Sequence, residues 1–260
     1  MKTVALITGA SGGIGYELAH LFGKDKKDLV LVARSKDKLE EVRLELINKY
    51  SVEVYIFPVD LSKADAPLLI YEYTRSHNLI VHTLVNNAGF GIRGRVAEIP
   101  LKDELEMIQV NITSLVDLTK RFLPDMISKK NGKILNVAST AAFQPGPYMS
   151  GYYASKAFVL HYSEGLAEEL LNTGVTVTAL CPGPTITSFQ VRANMESTAL
   201  FKGPFTMSAK EVAEDGYLAM NKGDVVSISG FMNFLISQSS RFSIRALTRK
   251  ISAILNGGGK

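Results

Sequence analysis

Tyr152 and Lys156 stand four residues apart in the run Tyr152-Tyr153-Ala154-Ser155-Lys156. On a helix that spacing puts both side chains on one face. A phenol at its ordinary pKa of ~10 is a poor acid–base group at neutral pH. A neighbouring ammonium favours the phenolate and lowers that value. Ser139, at the end of an apolar run upstream, offers a hydroxyl that can hydrogen-bond a substrate oxygen. The three residue types together suit moving a proton on or off such an oxygen. Tyr153, three residues before Lys156, lies near the same face and competes with Tyr152 for the role.

A second constellation binds phosphate. Thr8-Gly9-Ala10-Ser11-Gly12-Gly13-Ile14-Gly15 follows the first apolar run and opens the first helical stretch. Glycines there let the backbone turn tightly and approach a pyrophosphate, and a helix N-terminus supplies free N–H groups and the positive end of its dipole. The next apolar run ends in Val32-Ala33-Arg34-Ser35, with no acid before Asp37. A dinucleotide site selective for NAD(H) usually places an acid there for the ribose hydroxyls. A guanidinium at Arg34, with Ser35 as a second donor, instead pairs with a 2′-phosphate. NADP(H) is the expected cofactor, in preference to NAD(H).

These groups need a scaffold that brings strand ends together. Apolar, β-branched runs at Val4–Thr8, Leu29–Ala33, Glu53–Val59, Thr83–Asn86, Lys133–Ala138, Val175–Leu180 and Val225–Ile228 alternate with helical stretches. The helices are expected near Gly13–Phe22, Lys36–Lys49, Ala66–His77, Leu101–Asn111, Ser114–Lys129, Tyr152–Leu171 and Ala209–Asn221. Continuous rather than alternating apolar strands predict burial on both faces. Strand–helix alternation predicts right-handed crossovers, hence an α/β fold: a single-domain, Rossmann-type, doubly wound parallel sheet of about seven strands with helices on both faces. No linker or repeat divides residues 1–260. The Pro-, Gly- and Thr-rich stretch at about 185–207 is expected to act as a substrate lid.

With these motifs in order, the chain resembles the short-chain dehydrogenase/reductase family over about residues 1–230, and its NADP-preferring, bacterial-type branch related to ketoacyl and steroid reductases. The resemblance rests on Thr8 to Gly15, Asp60-Leu61, Asn86-Asn87-Ala88-Gly89, Asn111, Ser139, Tyr152-x-x-x-Lys156 and Pro182-Gly183. It implies hydride transfer between a nicotinamide and a carbonyl or secondary alcohol. Tyr152, chosen over Tyr153 by the family spacing, is implied as the proton donor in reduction and acceptor in oxidation. Ser139 would orient the carbonyl, Lys156 would hold the nicotinamide ribose and depress the Tyr152 pKa, and Asn111 would hold a water that links Lys156 to solvent. The cofactor would lie along Gly9, Ser11, Gly13, Ile14 and Gly15, with Arg34 and Ser35 at its phosphate. Asp60 and Leu61 would meet the adenine, and Asn87, Ala88 and Gly89 its ribose side. Pro182, Gly183, Thr185 and Thr187 would meet the nicotinamide, Thr187 at its carboxamide. The family's frequent second basic residue in the glycine loop is replaced here by Ser11. Relatives pair through helices corresponding to 101–129 and 152–171, which implies a homodimer or homotetramer.

Substrate contacts are expected from Ser139, Phe143, Gln144, Tyr148 and Tyr152, with further walls at 90–93, 140–149, Phe189 and 193–205. Their aromatic and Met side chains suit a hydrophobic small molecule. The alternative on the same fold is a catalytically silent NADP-binding sensor or scaffold, whose usual mark is loss of the tyrosine or lysine; both are present. An epimerase or dehydratase generally needs a longer substrate domain than 260 residues allow.

Net charge is +4 with both signs dispersed, so nucleic acid is not an expected partner. The single cysteine, Cys181, excludes an internal disulfide and a multi-cysteine metal site, and the four histidines show no ligand spacing, so no metal is expected. No export signal is visible, and a soluble cytoplasmic protein is expected. The stretch Ser240–Leu255 sets Arg241, Arg245, Arg249 and Lys250 against Phe242, Ile244, Leu247, Ile251 and Leu255. A basic amphipathic helix of this kind can lie on an anionic membrane surface, cover a substrate pocket or join two subunits.

Overall fold

The computed structural model describes residues 2–187, 189–192 and 205–257. In strand β1 (Lys2–Thr8) Val4 and Leu6 enter the core on one side of the sheet, and Ala5 and Ile7 enter it on the other. The same two-sided burial recurs in β2 (Asp28–Ala33), β4 (Leu79–Asn86), β5 (Gly132–Val137) and β6 (Val175–Cys181). With β3 (Val54–Pro58) and β9 (Val226–Ile228) they form one seven-stranded sheet, ordered β3-β2-β1-β4-β5-β6-β9 and parallel at every pairing. Helices α1 (Gly13–Lys24), α2 (Lys36–Tyr50) and α8 (Ala209–Lys222) cover one face. Helices α3 (Ala66–Ser76), α4 (Leu101–Ile108), α5 (Ser114–Ser128) and α6 (Ser150–Glu169) cover the other. This is the expected Rossmann-like, doubly wound arrangement.

The strand order reverses between β1 and β4, and ligands of such sheets bind beyond the strand ends at that point. Thr8 ties the two ends together. Its hydroxyl donates to the Val85 carbonyl (3.2 Å) and accepts from the backbone N–H groups of Asn87 and Ala88 (3.0 Å each).

Four local features differ from the expected boundaries. β4 begins at Leu79 rather than Thr83, because its first residues pair with Lys2–Val4 across a register shift at Val4/Ala5. The helices expected at 101–111 and 114–129 join without a break through a π-helical turn at Gln109–Thr113. A π-turn inserts one residue into the helical ladder and re-aims the side chains within it; here that turn carries Asn111. The C-terminal stretch is not one helix. Helix α9 (Phe231–Phe242) ends at Ser243, whose backbone is extended and whose hydroxyl donates to Ser239 O at 2.6 Å, and α10 (Arg245–Leu255) starts afresh. The base of the expected lid is pinned by a small parallel pair, β7 (Thr185–Ile186) with β8 (Met207–Ser208), and helix α7 (Phe189–Arg192) follows β7. Residues 188 and 193–204, which complete the lid expectation and part of the expected wall at 193–205, lie outside the described residues. No helix among the described residues is long and apolar enough to cross a membrane.

Candidate active site

A cavity of about 700 Å³ opens beyond the ends of β1, β2, β4 and β5. At one end lie Gly9, Ser11, Gly12, Gly13 and Ile14. Helix α1 has no side-chain cap and no acid in its first turn, so its first N–H groups are left for a ligand. Gly9 turns with φ +67, a left-handed conformation, and a Cβ there would meet Asn87 Nδ2 at 2.7 Å. A Cβ on Gly13 would come within 3.1 Å of Thr187 Cγ2, so the glycine turn and the segment after β6 nearly touch across the cavity floor. An uncapped helix end beside a backbone stripped of side chains fits a dinucleotide diphosphate.

Arg34 and Ser35 line the same end, and so does Lys38. Ser35 caps α2, its Oγ accepting from Lys38 N at 3.4 Å, and this first turn of α2 carries Lys38 at the cavity. Lys38 was missed in the sequence because a lysine early in a helix reads as an ordinary solvated residue. Its position after the Ser35 cap was the available signal. Asp60 and Leu61 also line this end, and Asp60 Oδ1 accepts from Ser62 N at 3.0 Å. Burial disfavours the Asp60 charge, but hydrogen bonds from Ser62 and the nearby Arg34 and Lys63 cations outweigh it and hold the carboxyl below its ordinary pKa.

Asn87, Ala88 and Gly89 line the middle of the cavity. The Asn87 amide donates to the carbonyls of Thr8 (2.8 Å) and Gly9 (3.2 Å). Gly15 is not on the cavity surface. It packs behind the turn, where a Cβ would collide with Gly9 O and with Asn87 Nδ2, so its role there is helix–strand contact. Asn111 is also behind the wall. Its amide brackets the Phe90 backbone, accepting from Phe90 N at 3.0 Å and donating to Phe90 O at 2.9 Å, and donates to Ser155 Oγ at 3.0 Å. A Cβ on Gly89 would lie 3.1 Å from Asn111 Oδ1 and 3.4 Å from Lys156 Nζ, so Asn111 and Lys156 converge on one bare backbone position.

Ser139, Tyr152 and Lys156 meet at the other end, with Pro182, Gly183, Thr185 and Thr187 along the adjoining wall. Ser139 caps the short 3₁₀ turn Thr140–Phe143, its Oγ accepting from Ala141 N at 3.1 Å and donating to Pro182 O at 3.4 Å. Lys156 is buried and donates to Val137 O at 2.7 Å. Burial lowers its pKa to about 8. The Tyr152 phenol is raised above its ordinary value by burial, while a hydrogen bond from Ser139 works in the opposite direction. The Lys156 ammonium lies 5.9 Å from the Tyr152 ring centroid and donates to Val137 O. Desolvation therefore dominates both groups.

The two tyrosines part company here. Tyr153 is buried against Ala141 and Met149, and its hydroxyl donates to Asn256 Oδ1 at 3.2 Å. Tyr152 packs against Phe189, with ring centroids 5.3 Å apart. Gln144, Met149, Phe189 and Leu255 complete this end. Two expected substrate contacts are elsewhere: Phe143 turns into a core of Leu115, Val159 and Leu160, and Tyr148 is absent from the cavity lining, its left-handed backbone (φ +66) instead presenting its carbonyl to Gly94 N. Leu255 comes from the C-terminal stretch, for which covering a substrate pocket is one of the expected roles. It arrives because Asn256 is fully buried, donates to Pro147 O at 2.9 Å, and accepts at its own carbonyl from Arg93 Nε at 2.6 Å. Of the three roles open to the C-terminal stretch, the cavity wall is one it fulfils. Cys181 is a buried core residue whose thiol is pushed up to about 12 by burial.

A family model described as short chain dehydrogenase matches residues 3–198. A sulfoacetaldehyde reductase of Chromohalobacter salexigens is 37% identical over 223 residues, covering 82% of this chain and 86% of the relative. A human very-long-chain 3-oxoacyl-CoA reductase is 34% identical over 68% of this chain, which spans 58% of that longer protein. Among solved structures, a short-chain dehydrogenase from Sphingobium yanoikuyae in complex with NADPH superposes with a TM-score of 0.82 at 30% identity, covering 93% of this chain and 94% of that one.

Proposed function

The chain belongs to the short-chain dehydrogenase family, and from that premise we propose that it is an NADP(H)-dependent reductase of an apolar carbonyl compound, reversible toward the secondary alcohol. One observation carries the reading. Ser139, Tyr152 and Lys156 meet at one end of a cavity whose other end joins an uncapped helix N-terminus to the cations Arg34 and Lys38.

Bound NADP(H) supplies the hydride. The residues of the chain do the rest. Gly12, Gly13 and Ile14 take the diphosphate on their N–H groups, and Arg34 with Lys38 pairs with the 2′-phosphate. Lys156 would hold the nicotinamide ribose, while Asn111 packs behind the Gly89 and Phe90 backbone and fixes that wall. Ser139 holds the substrate oxygen, and Tyr152 gives that oxygen its proton in reduction. Tyr152 is protonated at neutral pH, and its hydroxyl lies beside Ser139 at the substrate end. Both hydroxyls face the charge that develops on the oxygen, the arrangement that stabilises an alkoxide electrostatically.

Apart from Lys156, the described residues at the substrate end carry no cation. Among the described residues, a sulfonate, as in the substrate named for the Chromohalobacter salexigens relative, would find no cation there besides Lys156; an apolar ketone needs none. Exposed Leu101 and Leu105 on α4 and Phe158 on α6 support a homodimer or homotetramer built through those helices. The buried lone cysteine fits a reducing cytoplasmic setting. The test is a panel of apolar ketones beside sulfoacetaldehyde, each with NADPH and NADH, read by the loss of reduced-nicotinamide absorbance. Turnover of apolar ketones with NADPH is the expected result. Tight NADPH binding without turnover of any carbonyl would favour a silent sensor.

A further inference from the structure

Helix α10 is amphipathic in the inverse of the usual sense. Its buried face is polar: Ser252 is 1% exposed, and Asn256 just past its end is 0% exposed. Its outward stripe is apolar: Ile244 is 74% exposed, Leu247 55%, Ile251 49% and Ile254 69%. Within the helix, spacings of four and three residues place Leu247, Ile251 and Ile254 on one side, and Ile244 is the N-cap residue just before them. The inversion is held in place by the Asn256 hydrogen bonds to Tyr153 and Pro147 and by Arg93 at the Asn256 carbonyl. Helix α9, just upstream, also leaves Phe231, Phe234 and Leu235 exposed. A water-facing row of large aliphatic side chains marks a surface that meets a partner.

Charge identifies the partner. From Val225 to Lys260 the chain contains no Asp or Glu, while Arg241, Arg245, Arg249, Lys250 and Lys260 are all basic. Of these, Arg245, Arg249 and Lys250 sit on α10 itself. A two-fold contact with a second copy would bring these cations together with no acid in either segment to meet them. An anionic lipid surface satisfies both parts of the helix, taking the aliphatic stripe below the headgroups and the cations at their level. Eleven residues are too few to span a bilayer, so the helix would lie in the interface.

We propose that the outward face of α10 docks the protein on anionic membrane surfaces. The same helix lends Leu255 to the cavity wall, so docking sets the substrate end beside the lipid. That consequence rests on the proposed function; the docking does not.

The experiment is flotation of the full chain, without cofactor or substrate, with vesicles of phosphatidylcholine alone and of phosphatidylcholine with about one-third phosphatidylglycerol. At low salt the chain is expected to bind the anionic vesicles at least tenfold more tightly than the neutral ones, with binding weakened by high salt. The double variant Ile251→Glu/Ile254→Glu is expected to lose that binding while keeping its thermal midpoint and NADPH affinity. Absence of binding to anionic vesicles, or equal salt-insensitive binding to both kinds, overturns the proposal. So does a wild-type oligomer that the same double variant dissociates, which would assign the stripe to a second copy. Because the readout needs no turnover, its failure leaves the oxidoreductase reading untouched, and the reverse also holds.

Discussion

The Tyr153 hydroxyl donates to Asn256 Oδ1 across 103 residues of chain, and this bond gives two adjacent tyrosines different work. Tyr153 becomes an anchor for the C-terminal helix. Both rings line the cavity, but the Tyr153 hydroxyl is taken up by Asn256, whereas Tyr152 shares a wall with Ser139 and Lys156. Tyr152→Phe is expected to lower turnover by about 10²–10⁴-fold, the range for loss of a general acid–base group. NADPH affinity, measured by fluorescence titration, is expected to change little. Tyr153→Phe is expected to keep most of the turnover. If the two variants exchange these phenotypes, the roles are reversed.

Asn256→Ala removes the buried end of the latch. Tyr153 OH and Pro147 O each lose a hydrogen bond, the Arg93 guanidinium keeps its backbone acceptor, and Leu255 loses part of what fixes its place in the wall. Steady-state kinetics with an apolar ketone are expected to show a raised KM for the ketone. The KM for NADPH is expected to stay put, because the glycine turn lies at the far end of the cavity. Equal effects on both substrates would mean that the C-terminal segment supports the whole fold rather than one end of the site.

Cofactor choice is expected to depend on Arg34 and Lys38 together. A hydrogen bond to a charged group contributes about 1.5–3 kcal/mol. Arg34→Asp is therefore expected to cut the NADPH-over-NADH ratio of kcat/KM by about 10–150-fold, at about 1.4 kcal/mol per tenfold. Lys38→Glu is expected to cut it by a smaller factor, because its ammonium is a point charge without the guanidinium fork. An unchanged ratio in the double variant would exclude the phosphate clamp.

The buried Lys156 ties stability to pH. Its folded pKa, about 8, lies below its ordinary value of 10.5. Between those values the unfolded chain holds the proton and the folded chain does not, so stability rises with pH through that window. Tyr152 acts oppositely, but only above its ordinary value of 10.0. Urea unfolding between about pH 8 and 10 is thus expected to show the wild type gaining stability relative to Lys156→Met. Parallel pH dependences in the two proteins would mean that the lysine is not held uncharged by burial.

What neighbouring residues dictate was readable in the chain itself. The seven apolar runs, the glycine turn at the first helix and the four-residue step from Tyr152 to Lys156 each lie within a few residues. Steric and periodic rules act on that scale. The family resemblance then supplied the order in which such pieces assemble. The failures have the opposite character. Phe143 left the site because a 3₁₀ turn capped by Ser139 aims it into the core. Lys38 entered because the Ser35 cap carries the first turn of α2 to the cavity. Asn256 entered from the far end of the chain, and a hydrogen bond between distant residues has no local signature. The pKa values of Tyr152 and Lys156 were decided by burial, which only the packed molecule sets. Amphipathic spacing in α10 was visible from the start, yet which face turned inward was chosen by Asn256, Tyr153 and Arg93, since a periodic pattern names two faces but not the one that meets the core.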